Sequence, residues 1–188
     1  MKTNQSKGSA SRRLFFALWP TDAVRRMLAG VADSLTCEGT SVPKRNFHVT
    51  LAFLGSVDAA RQRCLAEMAA GIEVRPFVLR LDSVGCFLRA GIVWSGASRA
   101  PPGLISLVGK LNRGLTECGF TPEGRPFQAH VTLFRKADLR NNPAGSERRS
   151  HDPIEWLISD FCLVESSTLP TGARYRVLDR WPLRGDGS

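Results

Sequence analysis

Asn46-Phe47-His48-Val49-Thr50-Leu51-Ala52-Phe53-Leu54-Gly55 decides the reading, because its tetrapeptide His48 to Leu51 returns as His130-Val131-Thr132-Leu133. The chain has three histidines, and two of them open the same four letters 82 residues apart. Each copy lies in a strand-like run, where successive side chains point to opposite faces. In the first, Phe47, Val49, Leu51 and Phe53 are expected on one face and His48, Thr50 and Ala52 on the other. In the second, Val131 and Leu133 oppose His130 and Thr132. Each histidine therefore shares a face with its threonine, about 7 Å away at the Cα atoms, while apolar neighbours hold the strand from behind.

Working outward, Leu14 to Trp19 reads as a buried strand ended by Pro20, and Thr21 or Asp22 caps a helix to about Leu35. A glycine-containing loop, Glu38 to Pro43, leads to a strand over Asn46 to Leu54, and Asp58 caps a helix to about Ala70. Strands are expected over Phe77 to Val84 and Ile92 to Trp94. Pro101 and Pro102 open a helix with Leu104, Leu107, Val108, Leu111 and Leu115 on its apolar face, closed by Gly119. A strand from Phe127 to Phe134, a polar loop over Asn141 to Ser150, and strands over Ile154 to Glu165 and Arg174 to Trp181 complete the chain. About three helices among many strands predict an α+β or α/β domain with substantially antiparallel sheets. Residues 1–12 read as a disordered basic tail, 13–183 as the domain, and 184–188 as a C-terminal tail.

Of the 188 residues, 43% are hydrophobic and 23% charged, which excludes a disordered, collagen-like or coiled-coil chain. The longest apolar run, Leu14 to Trp19, is too short to span a bilayer. Lys+Arg 26 against Asp+Glu 17 gives a net charge of +9, suited to a polyanion such as RNA, or simply to a solvated surface. Five cysteines, an odd number without a C-x-x-C pair, speak against a zinc ribbon or a disulfide framework and read as small buried hydrophobes. The N-terminus lacks the apolar core of a secretory signal, so a reduced cytoplasmic setting is expected.

Two imidazoles that titrate near neutrality suit a reaction needing one general base and one general acid. Two hydroxyls in a basic surround suit phosphoryl oxygens that gain charge in the transition state. The combination points to phosphodiester hydrolysis without a metal or other cofactor. A metal site would need His151 or Asp152 as further ligands, and no H-x-x-x-H or H-E-x-x-H spacing supports one. His151 itself, within Ser150-His151-Asp152-Pro153, is expected at the surface.

On these residues the chain resembles the 2H phosphoesterase superfamily, and within it the RNA 2′,3′-cyclic phosphodiesterase branch historically called 2′-5′ RNA ligase. The similarity runs from Arg13–Pro20 through Asn46–Gly55, Val84–Phe87, Val93–Trp94 and Phe127–Arg135 to Tyr175–Leu183. It implies a bilobal α+β fold whose two pseudo-symmetric lobes each present one motif strand to a central cleft. It also implies opening of an RNA 2′,3′-cyclic phosphate to a 2′-phosphate without a metal. His48 would be the proton donor, His130 the proton acceptor, and Thr50 and Thr132 the phosphate ligands. The order of roles rests on the resemblance alone, since the two motifs are identical.

Two positions depart from the family pattern: Ala129 stands where Pro usually precedes the motif, and Phe134 stands where a small residue is common, which would tighten the cleft. Arg135 is a candidate phosphate ligand, although strict alternation turns it away from His130 unless the strand bulges or ends. Lys44 and Arg45 are candidate contacts to RNA phosphates, and Phe16 and Tyr175 to a base, with loop charges and core aromatics as the plainer readings. Rival functions keep the histidines but change the substrate to 2′-5′ RNA ligation, a small nucleotide cyclic phosphate or a 2′-5′ oligonucleotide. A noncatalytic RNA-binding module is the rival of another class. The expected partner is RNA; neither a membrane nor a protein partner is implied, and a monomer is the default.

Overall fold

The structure, a computed structural model, describes residues 11–138, 148–170 and 172–185. In chain order the elements are β1 (Arg12–Leu18), α1 (Asp22–Asp33), β2 (Thr40–Ser41), β3 (Val49–Val57), α2 (Ala59–Ala70), β4 (Phe77–Phe87), β5 (Ile92–Gly96), α3 (Pro102–Glu117), β6 (His130–Arg135), β7 (Arg149–Ile158), β8 (Asp160–Leu169) and β9 (Gly172–Pro182). Most of the expected basic tail, residues 1–10, lies outside the described residues, as do 139–147, which include most of the expected polar loop, and 186–188.

The helices begin where capping chemistry predicts. Thr21 Oγ1 accepts from the Val24 amide and Asp58 Oδ1 from the Arg61 amide, each satisfying an otherwise unpaired first-turn donor. In α3 the expected face of Leu104, Leu107, Val108, Leu111 and Leu115 is buried. Gly119, at φ +77°, ends it in the left-handed turn that lets the Phe120 amide reach the Leu115 carbonyl.

Several strand boundaries differ from expectation: β2 forms inside the expected loop over Glu38 to Pro43, β3 starts at Val49 and runs to Val57, β4 runs on to Phe87, β6 starts only at His130, and β9 spans Gly172–Pro182. Arg12 belongs to β1, and the single expected strand over Ile154 to Glu165 is two, β7 and β8, divided at Ser159, whose carbonyl accepts from the Leu183 amide. The first half alternates and Phe161 to Val164 is a continuous apolar run, and since both patterns suit a strand, periodicity alone cannot show the reversal.

All strands join one sheet in the order β7-β4-β5-β6-β3-β1-β8-β9, with β2 added on β6, and every pairing is antiparallel. Among the described residues the ladder between the two halves, β7-β4-β5-β6 and β3-β1-β8-β9, is the β3–β6 pairing at Val49↔Val131. An antiparallel pair has a two-fold axis between its strands, so the halves are related by an approximate dyad through the two motifs. This is the bilobal, pseudo-symmetric α+β arrangement that the family resemblance implies.

One cysteine expectation fails. Cys64 on α2 and Cys118 at the end of α3 form a disulfide across the packed helix pair. Their sequence separation of 54 residues hides the proximity, which only helix packing creates. Cys162 is buried as expected, whereas Cys37 and Cys86 are half-buried. Among the described residues no helix is long and apolar enough to cross a membrane. Closing a loop of that length is worth about 4 kcal/mol in the chain-entropy picture. The C64S/C118S protein should therefore unfold at clearly lower urea concentration than the oxidised parent, and reductant should shift the parent towards the variant.

Candidate active site

The Val49↔Val131 bridge sets the positions of the four motif side chains. In its antiparallel register His48 comes alongside Thr132 and Thr50 alongside His130, on the face opposite the fully buried valines. His48, Thr50, His130 and Thr132 are all half-buried. The two imidazoles are close enough that the charge of one opposes protonation of the other.

Each ring is held in the same way. His48 Nδ1 lies 2.7 Å from the Asn46 carbonyl oxygen, and His130 Nδ1 lies 2.8 Å from that of Gln128. A carbonyl only accepts, so both Nδ1 atoms carry hydrogen, and Nε2 is the atom at which each ring gains or loses a proton. Asn46 is buried, and its amide donates to the Ala173 carbonyl at 2.9 Å, pinning the approach to His48 against β9. Sequence reading passed over Asn46 because a buried asparagine looks like any loop polar residue until its partner is known.

Aromatic rings enclose both imidazoles. Trp19 stacks on His48 with centroids 5.6 Å apart, and Phe15 and Tyr175 approach it at 4.9 and 5.1 Å. Phe87 and Trp94 approach His130 at 5.0 and 6.1 Å. Arg25 caps the Trp19 ring and Arg148 the Trp94 ring. Glycine makes room for Trp94: a Cβ at Gly85 or Gly96 would collide with its indole. Burial among these rings pushes His48 down to about 4, against the pull of its bond to the Asn46 carbonyl, and the charges of Arg135 and His130 lower it further. Burial likewise lowers His130, again with Arg135 contributing.

Arg135 reaches this electrostatic field through a β-bulge. Trp94 pairs Thr132 and Val93 pairs Phe134, leaving Leu133 as the extra residue of β6. Leu133 and Phe134 then both turn into the core, and Arg135 emerges exposed on the side of Thr132. Phe134 therefore does not tighten the cleft, contrary to expectation. The same irregularity occurs at the equivalent leucine of the first motif, where Ala17 pairs Thr50 and Phe16 pairs Ala52, leaving Leu51 extra. A second shift follows at Leu54. Strict alternation consequently fails after Thr50: Ala52 packs towards the core and Phe53 is exposed.

Other expected positions divide cleanly. Phe16 is wholly buried against Phe161 and Trp181 on the far side of β1 and is not available to a base. Tyr175 edges His48 on the cleft side. Lys44 and Arg45 are exposed on a 3₁₀ turn just before the first motif. His151 is not a free surface residue: it is half-buried, with Nδ1 on the Asp152 carbonyl and Nε2 accepting from Ser95 Oγ at 2.9 Å. Among the described residues no three His, Cys, Asp or Glu side chains converge to hold a metal.

Residues 20–168 match the family model of the 2′-5′ RNA ligase superfamily. The chain belongs to that superfamily. It is 35% identical over 181 residues to the RNA 2′,3′-cyclic phosphodiesterase of Escherichia coli K12, covering 93% of this chain and 98% of that one. A relative of the same name from Thermus thermophilus is 30% identical over 187 residues, covering 93% and 91%. Among solved structures, apo LigT of E. coli superposes with a TM-score of 0.81 at 33% identity, covering 94% of this chain and 99% of that chain. LigT complexed with 3′-AMP gives 0.79 at 34%, covering 92% and 98%. Burial lowers the pKa of both motif imidazoles and so favours their neutral forms.

Both rings bind protons more weakly folded than unfolded, so stability is fully present above pH 6.5 and is lost as pH falls towards the His48 value of about 4. Imidazole NMR titration should place both midpoints below 6.5, His48 the lower, with Nδ1 protonated throughout. Arg135→Gln should raise both midpoints.

Proposed function

We propose that the chain hydrolyses RNA 2′,3′-cyclic phosphate ends to 2′-phosphomonoesters, using two histidines and no metal. The observation that carries this reading is the meeting of two identical His–Thr units, each imidazole held through Nδ1, on either side of the Val49↔Val131 pair. A phosphate on the approximate dyad has an imidazole to each side and a hydroxyl beside each imidazole. Relatives carrying the name RNA 2′,3′-cyclic phosphodiesterase at 30–35% identity over nearly the whole chain support the substrate class.

In this mechanism His130 Nε2 takes a proton from water as its oxygen bonds to phosphorus. The bond from phosphorus to the 3′ oxygen breaks, and His48 Nε2–H protonates that oxygen. The product carries a 3′-hydroxyl and a 2′-phosphate, and solvent exchange restores the two rings. Thr50 and Thr132 donate to the non-bridging oxygens, and Arg135 offsets the charge that grows there. Lys44 and Arg45 contact phosphates upstream of the cyclic end. With its free pKa at about 4, His48 acquires its proton in the complex, where the bound phosphate anion favours the charged ring.

The test is cleavage of a short RNA ending in a 2′,3′-cyclic phosphate, in EDTA, with the product phosphate located. Wild type should give the 2′-phosphate at an undiminished rate, and H48A and H130A should each lose at least about 10²-fold in kcat. A rate abolished by chelator and restored by zinc would remove the metal-free mechanism. T50A or T132A should lose about 10²-fold in kcat. Because both free rings titrate below 6.5, kcat/KM should already be falling above that pH, while the alkaline limb of kcat lies higher.

A further inference from the structure

The approximate dyad equates Ala17 with Trp94, since each stands opposite the threonine of its motif. Four residues before Ala17 is Arg13, still inside β1; four before Trp94 is Ala90, in the 3₁₀ turn that precedes β5. The half carrying His48 therefore extends its sheet further than the other half does, and what it places on the cleft side of that extension is polar. Arg13 stands opposite Ser56 of β3 and Ser166 of β8, and Ser166 stands opposite Tyr175 of β9, so one row crosses four strands. Arg13 shares its face of β1 with Phe15, two residues and about 7 Å further on, whose ring is 4.9 Å from that of His48. Tyr175, at the β9 end of the row, approaches His48 at 5.1 Å. The row abuts the site.

Charge on this half is sorted by face. On the other face of the sheet Glu165 pairs with both Arg12 and Arg176, and at the far end of β8 and β9 Asp160 pairs with Arg180. Arg13 is exposed, and among the described residues no carboxylate pairs with it. Ser56 is exposed beside it, Ser166 is half-buried, and Ser56 Oγ donates to Ser11 Oγ at 2.8 Å just before β1. The core gains nothing from the guanidinium, since Leu14 and Phe15 begin the buried part of β1. An unneutralised guanidinium among hydroxyls matches the oxygens of a phosphodiester, which such groups bind without regard to base.

Resting on the proposed function, we infer that Arg13 binds an internucleotide phosphate of the RNA upstream of its cyclic end. The chain then selects an oligonucleotide over a mononucleotide, because only the oligonucleotide carries a second anion beyond the aromatic rings that flank His48. The contact is equally present in the bound substrate and in the transition state, so it adds affinity without adding to the chemical step. Arg13 is a specificity residue for chain length in this account. The single cation also fixes the size of the effect, since one guanidinium displaces the counterions of one phosphate.

The experiment compares wild type, Arg13→Ala and Arg13→Lys on a short RNA ending in a 2′,3′-cyclic phosphate and on a nucleoside 2′,3′-cyclic phosphate, over a range of salt concentrations. Loss of a contact made alike in ground and transition states raises KM and leaves kcat in place. Arg13→Ala should raise KM for the RNA about tenfold at low salt. Its log KM should also climb less steeply with log salt, by about 0.7 in slope, the share of one phosphate on a single strand. Arg13→Lys keeps the charge and should keep the slope. On the nucleoside cyclic phosphate the three proteins should be equal, which also shows that the variants fold. An unchanged KM for the RNA, the same loss on both substrates, or an unchanged salt slope in Arg13→Ala overturns the inference. Calorimetric binding of a short RNA ending in a 2′-phosphate, set against a nucleoside 2′-monophosphate, separates this from the reaction itself. Weaker binding of the RNA alone by Arg13→Ala upholds the contact even if wild type shows no turnover, and equal binding removes the contact even if wild type is active.

Discussion

The site depends on one backbone pairing. Val49 and Val131 are fully buried, and among the described residues their bridge is the β3–β6 ladder that joins the two halves of the sheet. Because the pairing is antiparallel, it generates the approximate dyad, and because side chains alternate, burying the valines commits both flanking residues on each strand to the opposite face. A one-residue slip would bury the imidazoles and expose the valines. The apolar contribution of two side chains thus holds the register of four polar ones.

Beyond the bridge, the β-bulges do the next piece of work. Leu51 and Leu133 each add one residue to a motif strand, so each strand turns two consecutive positions towards the core and then resumes with its parity inverted. That inversion turns Arg135 to the side of Thr132 and Phe53 to the side of His48. The repetition of an irregularity at the same letter of the same tetrapeptide means that the motif carries a backbone shape as well as two functional groups.

The surroundings of the imidazoles then decide their charge. Rings on several sides remove water and favour the neutral form, and the two histidines and Arg135 repel a proton from one another. An anion between them reverses that balance. The free site is therefore a pair of neutral bases, and in the proposed mechanism the phosphate creates the acid that its own cleavage requires. His48, with three aromatic neighbours against two for His130, is the more strongly depressed of the pair.

The repeated His-Val-Thr-Leu, the capping residues Thr21 and Asp58 and the apolar face of α3 were legible in the chain because each is a short-range pattern. They determined the element types, the duplication and the His–Thr pairs. What lay beyond reach required partners distant in sequence: the Cys64–Cys118 bond, the Ser95 partner of His151, the Ala173 anchor of Asn46, and the burial of Phe16. The bulges belong to the same group, since a strand's extra residue is defined only against its neighbour. Local sequence determined which groups were built twice; tertiary structure decided which way they face and what surrounds them, because side-chain parity after Thr50 and Thr132 is set by pairing with β1 and β5.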